Sequence, residues 1–326
     1  MSGINYRLKI NRSAKDFKYI FSYGNTRKIK LALNKTGAAL SVNLTKDYME
    51  DIENPYLHGL LKEGIKRTAL LHILQYQKPL EIKNLTLTIT RNRQKSQPYD
   101  LFQYLIFYQM FDGPLLRPVS DEWKNPEILQ NILKFQKSKD DLSKNISALY
   151  AYLFSKTKKK QTERFTYLWI AMNGYFQVFS PDPKKNEKDQ MEYFVQQKGL
   201  GTHILSKALR DKTGLPAMLE VKRMWEPVTR EDLDQDRCAS FSAFIREKIS
   251  EYGSNTFDVT PYGFMLTDFP YYLRCNLFHA GRPMQLFSFE NDMELKSLRI
   301  VNSLLEDFLD QNLHKLFLND NSDTAN

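Results

Sequence analysis

The spacing of apolar positions changes period along the chain, and each change marks a new element. Between residues 28 and 44, Ile29, Leu31 and Leu33 and then Leu40, Val42 and Leu44 alternate with polar or small neighbours around Asn34-Lys-Thr-Gly37. A period of two about a turn signal predicts a β-hairpin. Over 56–77 the period becomes helical, with Leu57, Leu60, Leu61, Ile65, Ala69, Leu70, Ile73 and Leu74 recurring three and four apart before Pro79. Leu80, Ile82, Leu85, Leu87 and Ile89 then alternate with polar residues and predict another strand. The stretch 91–98 reads as a basic loop, and 101–111 is too apolar to be exposed. Its aromatic residues suit a buried helix or strand better than a platform for stacked bases. Asp112-Gly-Pro-Leu-Leu-Arg-Pro118 interrupts the pattern and supplies a candidate domain boundary.

Beyond residue 118 helical spacing dominates. It predicts helices over 126–136, 142–154, 163–179, 189–198 and 202–212, with 180–188 as an exposed connection. A further helix of about twelve residues begins at Asp268, has Pro270 in its first turn and stops at Gly281 and Pro283. The last helical stretch, 292–317, carries a stripe of Leu295, Leu298, Ile300, Val301, Leu304, Leu305, Phe308, Leu309 and Leu313. That stripe is wide enough to pack on a bundle and leave some surface for a second copy of the chain. The expected fold class is α+β. A small α/β unit spans 1–118, a helical domain 119–319 and a polar tail 320–326.

An apolar content of 42% over 326 residues is ample for a core. Two cysteines, Cys238 and Cys275, make neither a disulfide framework nor a metal-binding spacing, which fits a reducing compartment. With neither a leader pattern nor an apolar run of membrane-spanning length, the expected location is cytoplasmic. The net charge of +9 directs attention to polyanions, RNA above all. The run Ser155-Lys-Thr-Lys-Lys-Lys160 reads first as a solvated loop; in its second reading Lys158, Lys159 and Lys160 grip an RNA backbone.

Candidate chemistry concentrates at Arg274 and His279. A guanidinium fork holds phosphate oxygens, and a histidine in a helix's last turn is biased toward the protonated form that can donate a proton near neutral pH. Together the two could cleave RNA without a metal. Asn276 and Cys275 lie three and four residues before His279 and share its face. The spacing by itself is weak, because Arg67 and His72 repeat it within an ordinary amphipathic helix. Trp169 reads as core and Asn173 as a buried hydrogen-bonding partner. Lys198-Gly-Leu-Gly201 lacks the glycines and preceding strand of a phosphate loop, and His203 and His314 have no ligand-like neighbours.

The segment Arg274-Cys-Asn-Leu-Phe-His279-Ala-Gly281 resembles the R-x(4–6)-H signature of HEPN domains. Upstream, Arg164-Phe-Thr-Tyr-Leu-Trp169-Ile-Ala-Met-Asn173 is similar to the early helix that many of these domains carry. The resemblance covers the C-terminal half and implies a helical bundle pairing as a homodimer around one cleft. It further implies a metal-independent, cofactor-free endoribonuclease of a toxin–antitoxin, abortive-infection or other antiviral defence system. Arg274 is then expected on the scissile phosphate, His279 as general acid or base, and the ribose 2′-hydroxyl as nucleophile. An antitoxin or a phage-derived trigger is the expected partner. Cys275 stands where the family often has Asn, Asp or His, leaving the polar role to Asn276. A non-catalytic HEPN module binding RNA or a nucleotide, or an interaction adaptor, is the alternative.

Overall fold

The computed structural model describes residues 4–10, 17–23, 27–34, 37–44, 55–80, 85–91, 94–95, 97, 99–100, 111, 113–133, 141–179, 186–196, 214–225, 261–279 and 292–318, some by backbone alone. The segments expected as a buried run at 101–110, as a helix at 202–212 and as the stop at Gly281 and Pro283 lie outside these residues, as do Lys198–Gly201, His203 and Cys238.

The fold class is α+β, with helices predominating. Strands β1 (Ile4–Ile10), β2 (Phe17–Tyr23), β3 (Arg27–Asn34) and β4 (Gly37–Leu44) precede helix α1 (Pro55–Tyr76), and β5 (Leu85–Arg91) follows it. Two short strands, β6 (Gln94–Lys95) and β7 (Tyr99–Asp100), both pair with β5. The sheet order is β2-β3-β4-β1-β5-β6, and every pairing is antiparallel. The expected hairpin is β3–β4, closing with Asn34 opposite Gly37. In β5 the alternation has its expected consequence: Leu85 and Leu87 are buried while Thr86 and Thr88 are half-exposed. Helix α1 stops where the spacing predicted, with Gln77 at φ 57. Its N–H still reaches the Ile73 carbonyl at 2.8 Å, as in a left-handed helix exit.

The remaining helices are α2 (Pro126–Leu133), α3 (Asp141–Thr157), α4 (Gln161–Phe179), α5 (Glu187–Gln196), α6 (Gly214–Trp225), α7 (Pro261–Leu266), α8 (Asp268–His279) and α9 (Asp292–Asn312). A 3-10 turn, Leu313–Phe317, continues directly from α9, and another, Asp121–Lys124, precedes α2. No described helix is long and apolar enough to cross a membrane.

The chain divides into two compact units, residues 1–146 with 314–326 and residues 147–313, so the division does not fall at Pro118. Trp123 supplies the physical reason. Its fully buried indole meets the His314 ring edge-on at 6.0 Å and Phe317 at 5.9 Å. Asn131 Nδ2 donates to the Phe317 carbonyl at 2.6 Å, stitching the C-terminal turn to α2. His314 thus packs on a core tryptophan.

In the second unit α9 lies along α4. Tyr175 of α4 meets Phe308 of α9 edge-on at 5.4 Å and Phe194 of α5 at 5.8 Å. Leu298, Val301, Leu304, Leu305, Phe308, Leu309 and Leu313 are all buried within the single chain. Leu295 and Ile300 of the same stripe are only half-buried.

Candidate anion site on helix α8

Helix α8 follows α7 after one residue, Thr267, whose hydroxyl donates to the Gly263 carbonyl at 2.7 Å. Asp268 stands at the helix start, where the sequence places it. The Tyr271 N–H donates to the Thr267 carbonyl at 2.9 Å, so Thr267 takes the position before the first turn and Asp268 is the first helical residue. Pro270 fits this first turn because its missing N–H is not required for the helix's own ladder there. Phe269 and Leu273 are buried and fix the helix's inner face. The helix ends at His279, in the terminal position the sequence predicted. The side chains of Cys275, Asn276 and His279 lie outside the described residues.

The Arg274 side chain is about a quarter exposed, and its Nη2 lies 3.3 Å from Oε2 of Glu187, the first residue of α5. The other Glu187 oxygen, Oε1, accepts a hydrogen bond from Trp169 Nε1 at 2.8 Å. One carboxylate therefore joins the two segments that carry the HEPN resemblance. Trp169 is buried between the Phe165 ring at 6.4 Å and the Tyr271 ring at 6.3 Å, the latter projecting from α8 one turn before Arg274. Asn173, one turn along α4 from Trp169, is half-buried, and its Oδ1 has no hydrogen-bond donor among the described residues.

The spacing from Arg274 to His279 recurs at Arg67 and His72, and the two settings differ. Arg67 is buried and donates to the Ile132 carbonyl, while His72 Nδ1 lies 3.0 Å from the Lys78 carbonyl and its ring packs on Tyr76 at 4.8 Å. Both side chains are engaged by uncharged structural partners. Arg274 faces a carboxylate at partly open surface.

The three lysines expected on RNA do not stand alike. Lys158 Nζ sits 5.8 Å from the centroid of Phe154 and 5.4 Å from that of Tyr167, two stacked rings that attract its charge through their π faces. Lys159 and Lys160 are exposed, and Lys160 Nζ is 3.9 Å from Glu163 Oε1. The start of the run is not loop at all. Lys156 is the penultimate residue of α3 and is 1% exposed, with Nζ 3.0 Å from Glu306 Oε1 and 2.8 Å from Asp310 Oδ2. Arg164 Nε meets the other Glu306 oxygen at 3.0 Å. The Tyr152 hydroxyl donates to Asp310, and burial above all, with the Asp310 charge second, pushes that phenol well above its ordinary range. The buried Lys156 and the part-buried Arg164 are thereby compensated by two carboxylates.

Glu187 escaped the sequence reading because 180–188 reads as a polar connection. A signal was nonetheless present. Asn186-Glu-Lys-Asp189 has the spacing of a helix-capping sequence, and Asn186 Oδ1 does accept the Asp189 N–H at 2.9 Å. The helix starts two residues earlier than apolar spacing alone indicates. Comparison of the chain with protein-family models, curated proteins and solved structures gives no match in any of the three.

Proposed function

We propose that the chain is a HEPN-type, metal-independent endoribonuclease of a defence, abortive-infection or toxin–antitoxin system, acting as a homodimer. Arg274 binds and polarises the scissile phosphate, and His279, five residues on in the last turn of the same helix, moves the proton. The ribose 2′-oxygen attacks phosphorus and the 5′-oxygen of the next nucleotide leaves. The products are a 2′,3′-cyclic phosphate and a 5′-hydroxyl. Asn276 supplies the polar group beside the signature arginine, and the positive charge of Lys158, Lys159 and Lys160 draws in the RNA backbone.

The observation carrying this reading is the setting of Arg274: a partly exposed guanidinium at 3.3 Å from a carboxylate, on the helix that His279 ends. The planar fork that accepts a carboxylate accepts a phosphate by the same geometry. The same ion pair is also the observation that favours the second reading, in which Arg274 serves to tie α8 to α5 and the module binds RNA or a nucleotide, or acts as an adaptor, without cutting. Incubating the protein with total RNA and with tRNA in EDTA separates the two. Cleavage to cyclic-phosphate ends, lost in Arg274→Ala and in His279→Ala, supports the enzyme. Intact RNA with all three proteins supports the binding module.

A further inference from the structure

Glu187 occupies the place at Arg274 where the function proposed above puts a phosphate. Its Oε2 lies 3.3 Å from Arg274 Nη2, longer than the roughly 2.7–2.9 Å of a strong charge-assisted hydrogen bond. The two side chains are 24% and 18% exposed, so water and a competing anion can reach the pair. The carboxylate is also held from swinging away. Trp169 Nε1 anchors its other oxygen at 2.8 Å, and its position in the first turn of α5 favours negative charge there.

From this geometry we infer that Glu187 is a built-in competitor for the anion that Arg274 binds and sets the phosphate affinity of the site, an inference that rests on Arg274 meeting phosphate as proposed above. A phosphate approaching Arg274 must either displace the carboxylate or share the guanidinium with it at the cost of like-charge repulsion. A lone inorganic phosphate brings no neighbouring phosphates to offset that repulsion. A polynucleotide, whose neighbouring phosphates meet further cations on this +9 chain, does. Glu187 therefore discriminates against small free anions and in favour of a strand. Because Trp169 holds the carboxylate, its N–H is a positioning group for the competitor.

The test uses the full chain and two probes, inorganic phosphate and a short single-stranded RNA made uncleavable by 2′-O-methylation. In Glu187→Gln the amide oxygen can still accept the Trp169 N–H while the negative charge is gone. This variant is expected to bind both probes about tenfold more tightly, with the larger gain for inorganic phosphate. Adding Arg274→Ala is expected to abolish the gain. Unchanged or weaker binding by folded Glu187→Gln overturns the inference. If that variant fails to fold, Trp169→Phe serves instead: it releases the carboxylate, and about threefold tighter phosphate binding is expected, with no gain overturning the inference. Tighter binding in a protein that cuts no RNA keeps the competitor and removes the nuclease. Arg274-dependent cleavage with binding untouched by Glu187→Gln does the reverse.

Discussion

A Cβ built on Gly174 of α4 would lie 2.9 Å from Cβ and 3.4 Å from Cα of Ala148 in α3. Alanine ordinarily stabilises a helix interior over glycine by about 1 kcal/mol, but here the helix facing it has no flexible side chain that can give way. Overpacking of this kind costs about 1–3 kcal/mol and wins. Gly174→Ala is expected to lower the denaturation midpoint, and adding Ala148→Gly to recover much of the loss; a more stable single variant would contradict the close approach. Glu187 illustrates what single residues disclose in sequence. Its helix-starting context was legible in Asn186 and Asp189, yet nothing local indicates that its two oxygens reach Trp169, 18 residues back, and Arg274, far along the chain. Contacts of that kind are set by tertiary packing, which leaves no spacing to read.

Among the elements, those with a sustained one-sided stripe were the readable ones. Helices α1, α4 and α9 and the β3–β4 hairpin lie within a few residues of where the spacing puts them. Strands β1 and β2 also carry a usable signal, since Ile4, Tyr6, Leu8 and Ile10 alternate with polar residues and Gly24-Asn25 follows β2. Helix α6 begins at Gly214 with Pro216 in its first turn, residues that read as a break. Lys156, at the start of the lysine run, hides its role for a different reason: a charged residue at a helix end looks solvated unless its partners, here Glu306 and Asp310, are known. Removing one member of such a buried network leaves an uncompensated charge, so Lys156→Met is expected to destabilise the protein by about 3–5 kcal/mol in denaturant unfolding. Lys160→Ala, from the exposed end of the same run, should change stability by about 0.5 kcal/mol or less. Equal effects would contradict the network. The phenols of Tyr152 and Tyr175, both raised by burial, have a folded pKa above the unfolded value near 10. Their contribution is complete below about pH 10 and is lost as pH rises past it, because the unfolded chain then ionises more readily. Tyr152→Phe is expected to weaken the protein at neutral pH through the lost bond to Asp310 and to flatten the alkaline decline. An alkaline limb as steep as the wild type's would exclude Tyr152 as its source.

Over the whole molecule, the helical class of the C-terminal half was legible in sequence and the division into units was not. The Pro- and Gly-rich stretch ending at Pro118 looks like a linker, but Trp123 lies beyond it and takes His314 and Phe317 as packing partners from the far end of the chain. Phe317→Ala is expected to cost about 3 kcal/mol and to shift the Trp123 environment; a surface-like change under about 0.5 kcal/mol would contradict that closure. At this scale the proposal of RNA chemistry rests on the +9 charge, the α8 arginine and the histidine that ends the same helix. The most direct measurement is end-mapping of tRNA incubated in EDTA with wild type, Arg274→Ala and His279→Ala, each shown to be folded by thermal unfolding. The account predicts 2′,3′-cyclic-phosphate and 5′-hydroxyl ends from the wild type alone. Cleavage that survives in folded Arg274→Ala or His279→Ala, or that yields 3′-hydroxyl ends, would contradict it.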